Sequence, residues 1–143
     1  MESSLLTSLF RDEAIAAQFS DAQTMAYMLH FEVALARVQS ELGVIPAEAA
    51  GHIEAAASRL QVDMAAIRED VSKSGVPTIE LIKQLRTATD PEYRSYVHWG
   101  ATSQDVMDTA LVLQLRAALD FLESQLGRLI HNLARFLSYG KLT

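Results

Sequence analysis

Residues 98–105, of sequence HWGATSQD, concentrate side chains that could bind and process a small anionic molecule. His98 can exchange a proton near neutral pH, and Gly100 lets a backbone approach a ligand closely. Two hydroxyls, an amide and a carboxylate follow, where the longest helical pattern of the chain begins. The free N–H groups of a helix N-terminus favour anions. The segment therefore predicts a site for a small molecule that bears a carboxylate.

The elements that must position this site are predicted to be helices joined by short loops. Ser20 and Gln23 form a capping box at the start of one helix, which Gly43 ends, and Pro46 begins the next helix. No alternation of apolar and polar residues is long enough to indicate a strand, so we expect an all-α protein. Further helical patterns cover residues 47–60, 63–73 and 79–87.

The last helix is predicted to be the longest element. Thr102 and Asp105 have the spacing of a capping box, and the helix should run from there to about Ser138. Such a rod has an apolar stripe that a small domain cannot cover, so we expect partner helices. Because the pattern is still apolar near the last residue, we also expect a truncated chain. The stripe has alternating steps of four and three residues, as in a coiled coil: Leu115, Leu119, Leu122, Leu126, Leu129, Leu133 and Phe136.

Composition and charge exclude several classes of function. The 143 residues include 12 basic and 18 acidic side chains, and no basic block indicates a nucleic-acid partner. The absence of cysteine excludes disulfides and thiolate metal sites, and with an N-terminus unlike a signal peptide it favours the cytoplasm. No apolar run is long enough to predict a membrane span. His30, His52 and His131 lack partners at ligand spacing, so no metal site is predicted.

The stretch from His98 to Thr109, HWGATSQDVMDT, resembles the first conserved signature of the fumarase/aspartase superfamily. The lyases of that superfamily have H-x-G-x-T-S-x-D-x-x-D-T here, and every fixed position is met. Within the superfamily, Trp99, Gln104 and residues 111–116 are most similar to bacterial 3-carboxy-cis,cis-muconate cycloisomerases, as is the segment GVPTIELIKQL at 75–85. Adenylosuccinate lyases usually carry a histidine-aspartate pair in that earlier segment, and this chain has none.

The resemblance also implies an architecture. Residues 1–101 would form an N-terminal helical domain, and residues 102–143 the truncated start of a central bundle of long helices. Members of the superfamily assemble as homotetramers through that bundle, and each active site collects residues from three subunits. Their usual catalytic serine lies in a loop of G-S-S-x-M-P form that this sequence lacks, so we expect the chain alone to be inactive.

The activity that the resemblance implies is lactonisation of 3-carboxy-cis,cis-muconate, a tricarboxylate, to 4-carboxymuconolactone in the β-ketoadipate pathway of aromatic degradation. No cofactor or metal is expected, and the general acid and base would lie outside this sequence. His98 is also a candidate proton relay, although an isolated histidine is more often structural. Asp105 and Asp108 are expected to be capping or structural residues, because a carboxylate repels an anionic substrate. The substrate-binding candidates are His98, Thr102, Ser103, Gln104 and Thr78, although a helix cap is the stronger expectation for Thr78.

Two other functions stay open at this point. One is a different lyase of the superfamily, similar to adenylosuccinate lyase, that releases fumarate from a purine or amino-acid substrate. The other is a non-catalytic helical oligomerisation module. In that case the leucine stripe of the last helix would matter and His98 would not.

Overall fold

A computed structural model describes residues 9–139, and its regular elements are all helices. Expectations that concern residues 1–8 and 140–143, including the closing segment of the chain, lie outside this range. Within it no strand is present, which confirms the predicted all-α class. The helices are α1 (Glu13–Gln18), α2 (Asp21–Glu41), α3 (Ala47–Arg59), α4 (Met64–Ser74), α5 (Thr78–Ala88) and α6 (Ser103–Tyr139), with a 3₁₀ turn at Arg94–Tyr96.

Capping residues and glycines that can be recognised in the sequence determine where the helices begin and end. The Ser20 hydroxyl accepts the backbone N–H of Gln23 at 3.3 Å, which confirms the predicted start of α2. Gly43 and Gly75 follow α2 and α4 with φ of 69° and 80°, a conformation that glycine adopts without a steric penalty. Asp63 caps α4 by accepting two backbone N–H groups of its first turn. Local chemistry therefore explains most of the loop positions.

Two apolar clusters share α2 and α5 and hold the helices together. The first joins α2, α3 and α5 to Val97, and α3 contributes mainly alanines, which let it lie close to α2. The second joins α2, α4 and α5 to the first turns of α6. Met25 and Met28 are buried in it, and Met64 and Met107 pack against it, so these methionines are packing residues. The second cluster is Met25, Met28, Ile67, Leu81, Val106 and Ala110.

Only the first part of α6 is docked on the other helices. Its buried residues recur every four positions, and the Nε2 of one of them, Gln114, donates to the Gln18 carbonyl at 2.8 Å and to the Thr24 hydroxyl at 2.9 Å. The helix has 37 residues and is therefore about 55 Å long. Residues 122–138 are all exposed, and so is every member of the predicted leucine stripe. No helix in residues 9–139 combines the length and apolar composition needed to cross a bilayer.

Candidate substrate-binding site

The signature residues form a turn between the 3₁₀ segment and α6, and this turn is held from two sides. Val97 is completely buried in the first apolar cluster. A guanidinium N–H of Arg86, on α5, donates to the Val97 carbonyl at 3.1 Å. The side-chain amide of Gln39, on α2, donates to the Trp99 carbonyl at 2.7 Å. Two helices that are distant in sequence thus position the backbone on either side of His98.

His98 adopts an unusual backbone conformation. Its φ is 60°, and no other non-glycine residue in the described part has a positive φ. Gly100 follows with φ of 71°. A left-handed conformation costs a residue with a Cβ about 1–2 kcal/mol, so surrounding contacts must compensate for it. The contacts of Val97 and Trp99 provide that constraint, and the His98 side chain adds another.

The imidazole of His98 contacts a buried carboxylate. Its Nδ1 lies 2.7 Å from Oε1 of Glu32, which is on α2 and only 1% exposed. The other carboxylate oxygen, Oε2, has no hydrogen-bond partner among the described residues. Burial raises the pKa of Glu32, and the hydrogen bond with His98 and the charge of Arg86 oppose that rise. The pair is thus an enclosed Glu–His dyad.

Sequence reasoning missed Glu32 as part of this site. It did not connect Glu32 with His98, which lies 66 positions further along the chain. One signal was available. Glu32 falls four residues after Met28 and four before Ala36, on the buried face of α2. A carboxylate on such a face needs a partner, although the pattern alone does not identify it.

The start of α6 is capped as predicted. The backbone N–H and the hydroxyl of Thr102 both donate to Oδ2 of Asp105, at 2.8 and 2.9 Å. The Thr102 N–H, then its hydroxyl, and to a smaller degree the charge of His98 lower the pKa of Asp105 below its ordinary value. Asp108 accepts the side-chain amide of Gln104, one turn further on. Asp105 thus has the expected capping role.

The first turn of α6 leaves donors available near His98. The backbone N–H groups of Ser103, Gln104 and Asp105 bond no acceptor in the described part of the chain. The Ser103 side chain is half-buried and makes no hydrogen bond there either. Hydroxyl, imidazole and N–H groups of this kind suit a ligand carboxylate.

The structure places Thr78 differently from the predicted helix cap. The N-cap residue of α5 is Pro77, and Thr78 is the first helical residue, so the capping interpretation was wrong. The Thr78 hydroxyl is buried and has no hydrogen-bond partner in residues 9–139, so it is not bonded to His98 or Ser103 there. A substrate contact by Thr78 stays a prediction.

The remaining histidines lie apart from this turn. His30 and His131 are exposed on α2 and α6, and His52 stacks on Tyr93 with ring centroids 4.3 Å apart. Across residues 9–139, no three histidine, aspartate or glutamate side chains converge as potential metal ligands.

Comparison with known proteins identifies the family. The model of a family described as lyase matches residues 10–135. The 3-carboxy-cis,cis-muconate cycloisomerase of Bradyrhizobium diazoefficiens is 46% identical over 135 residues, which are 92% of this chain and 30% of that protein. The crystal structure of 3-carboxy-cis,cis-muconate lactonizing enzyme from Pseudomonas putida has 42% identity and a TM-score of 0.84, over 93% of this chain and 31% of that chain.

A fumarate lyase from a Mesorhizobium species is also similar, with 43% identity and a TM-score of 0.72 over 75% of this chain and 25% of that chain. This chain therefore spans between 25% and 31% of the length of these three relatives. The family model covers most of the sequence, and the predicted signature lies inside the matched residues. The chain belongs to this lyase family, in the fumarase/aspartase superfamily.

Proposed function

We propose that this chain supplies the N-terminal part of a cytoplasmic 3-carboxy-cis,cis-muconate cycloisomerase, which converts its substrate to 4-carboxymuconolactone. The observation that carries the proposal is the turn of residues 98–105. It presents an imidazole and the open N-terminus of α6 on one short segment. The identity of 46% to a cycloisomerase supports the choice of substrate.

The substrate is a trianion, and the chain has a formal net charge of −6. The net charge of this chain therefore does not attract the substrate, and in the proposal local donors bind the substrate carboxylates. The N–H groups of Ser103 and Gln104 and the Ser103 hydroxyl serve this purpose in the proposal. The Asp105 carboxylate accepts the N–H and the hydroxyl of Thr102, and these two donors partly offset its negative charge next to a bound anion.

Lactonisation demands stabilisation of a developing charge. One substrate carboxylate adds to a carbon of a double bond, and the carbon next to another carboxylate takes up a proton. Between these events, negative charge accumulates on the oxygens of that second carboxylate. Fixed donors at a helix N-terminus stabilise such a charge without having to reorganise. In our proposal the chain binds and stabilises, His98 is a proton relay, and the general acid and base come from other parts of the enzyme.

The exposed half of α6 supports a proposal about assembly. From Leu122 to Leu137 every large apolar side chain of this helix is exposed. We propose that residues 102–143 begin a central bundle of long helices that associates subunits, as in a homotetramer, and that residues 1–101 form the N-terminal helical domain. Uncovered apolar surface of this extent favours association.

A chimera tests the proposed substrate. The matching N-terminal residues of the Bradyrhizobium cycloisomerase would be replaced by residues 1–135 of this chain, so that the remainder of that enzyme completes the site. Conversion of 3-carboxy-cis,cis-muconate is monitored as a decrease in the absorbance of its diene. We expect turnover close to that of the parent enzyme, and a His98→Asn chimera should be impaired. Adenylosuccinate is the comparison substrate, and its cleavage is monitored through the release of fumarate.

Two results would contradict the proposal. A chimera with the assembly state of its parent that does not convert the muconate would show that this chain cannot build the site. Normal turnover by the His98→Asn chimera would indicate that His98 has no part in the reaction.

A further inference from the structure

We propose that Glu32 is a positioning residue that holds His98 in the tautomer with its proton on Nδ1, so that Nε2 is the nitrogen that exchanges protons at the site. The use of that proton in catalysis rests on the proposed function. The tautomer itself does not, because it follows from contacts within this chain.

In the hydrogen bond between His98 and Glu32, the imidazole is the donor. Nδ1 of His98 and Oε1 of Glu32 are 2.7 Å apart, a distance typical of a charge-assisted bond. An ionised carboxylate can only accept, so Nδ1 must be the donor. Free imidazole prefers the other neutral tautomer, with the proton on Nε2, so the preference seen here must come from the protein.

Glu32 stays ionised in this arrangement although it is buried. Burial favours the protonated acid, which would donate to Nδ1 and reverse the tautomer. Two groups oppose that outcome: the His98 hydrogen bond and the nearby charge of Arg86, whose guanidinium is held on the Val97 carbonyl. An unpaired buried carboxylate would be costly, whereas one that accepts from Nδ1 and lies near a guanidinium is tolerated.

The orientation of the His98 ring leaves Nε2 accessible. Hydrogen bonds from Arg86 and Gln39 fix the backbone on both sides of His98, and the bond to Glu32 fixes Nδ1. Nε2 has no hydrogen-bond partner among residues 9–139. The side chain keeps 14% of its surface exposed, whereas that of Glu32 keeps 1%. Nε2 is thus the nitrogen that a ligand can contact.

The proton balance of this arrangement is simple. In the neutral state the Nε2 lone pair accepts a proton from water or from a neighbouring acid, and the ring becomes an imidazolium. The Glu32 carboxylate stabilises the new positive charge, and Nδ1 keeps its proton. The reverse step returns the Nε2 proton. At no point does the proton move to Glu32, which acts only through His98.

Nitrogen-15 NMR of the histidine rings tests this directly in the chain of 143 residues. Long-range ¹H–¹⁵N correlations distinguish the two neutral tautomers. We expect neutral His98 to be protonated on Nδ1, and the exposed His30 and His131 to show mainly Nε2–H. Glu32→Met removes the acceptor but fills a similar volume, so His98 should change to predominantly Nε2–H. Glu54→Met is the matched control, because Glu54 pairs with Arg37 and does not contact His98.

Each outcome decides the proposal. An Nε2–H tautomer in the wild-type chain would overturn it, as would an unchanged Nδ1–H tautomer in folded Glu32→Met. If Glu32→Met does not fold, the wild-type spectrum and the variant Glu32→Gln replace it in the test. The glutamine amide can either accept or donate, so His98 in Glu32→Gln should show a mixture of the two neutral tautomers. The two proposals can fail separately. If NMR shows the proton on Nδ1 of His98 but the chimera does not convert the muconate, the proposed function is refuted and the positioning role of Glu32 remains.

Discussion

Replacing Val97 by alanine should destabilise the fold at the residue that anchors the His98 turn. Val97 is 0% exposed and packs in the cluster that joins α2, α3 and α5. The change removes two carbon atoms from the core, each worth about 0.8 kcal/mol in transfer free energy. The cavity left behind adds a smaller loss. We therefore expect the free energy of unfolding to fall by about 2 kcal/mol. The hydrogen bond from Arg86 to the backbone carbonyl should persist.

Urea denaturation followed by far-UV circular dichroism measures this loss. With an m-value of roughly 2 kcal/mol/M, the midpoint should fall by about 1 M and the slope should stay the same. Val38→Ala is the matched control, because Val38 lies on α2 and is 52% exposed. Its effect should stay within about 0.5 kcal/mol. A Val97→Ala loss no larger than that of Val38→Ala would refute the assignment of Val97 as an anchor.

Three further predictions follow from the start and the exposed half of α6. Contacts from Thr102 lower the pKa of Asp105 in the folded chain below the ordinary value of 3.8. The ionised Asp105 carboxylate therefore contributes fully to stability above pH 3.8, and this contribution is lost as the pH falls through the lower pKa of the folded chain. Asp105→Asn should therefore be less stable than wild type at pH 7 and approach it at pH 3; a constant difference in urea midpoint would contradict this. Leu126→Glu should lower the mass of any self-associated chain toward 15.8 kDa in light scattering, whereas Glu123→Gln should not, and equal masses would exclude the leucine stripe as the interface. In the chimera, Ser103→Ala should reduce kcat/KM by about 10-fold or more through weaker carboxylate binding without unfolding, and unchanged kinetics would rule that role out.

Local signals allowed most helices to be predicted from the sequence. Ser20 with Gln23 and Gly43 act through backbone geometry within a few residues, and each begins or ends a helix where expected. The start of α6 was predicted in the same way, from the spacing of a threonine and an aspartate. α1 was not predicted, although Asp12 caps it by accepting two N–H groups, because six residues carry too little periodicity.

Contacts between distant segments could not be predicted in this way. The position of Glu32 opposite His98 depends on how α2 docks against the turn before α6, and no spacing rule relates residues so far apart. The positive φ of His98 is a similar case, because most histidines have a negative φ and the residue type alone does not predict this conformation. For Thr78, Pro77 occupies the cap position, and the hydroxyl is buried by tertiary packing instead. The signature residues identified the site, but their supporting partners required the structure.

Gln114 makes the first part of α6 intolerant of insertions and deletions. Its amide is bonded to Gln18 and Thr24, while the beginning of the helix is fixed where Asp105 holds Thr102. One residue added or removed between these points rotates all later side chains by about 100° and turns Gln114 out of the core. Residues 122–138 are all exposed, so a seven-residue change there preserves the apolar stripe. Variation in the length of α6 among related chains should therefore be confined to its exposed half.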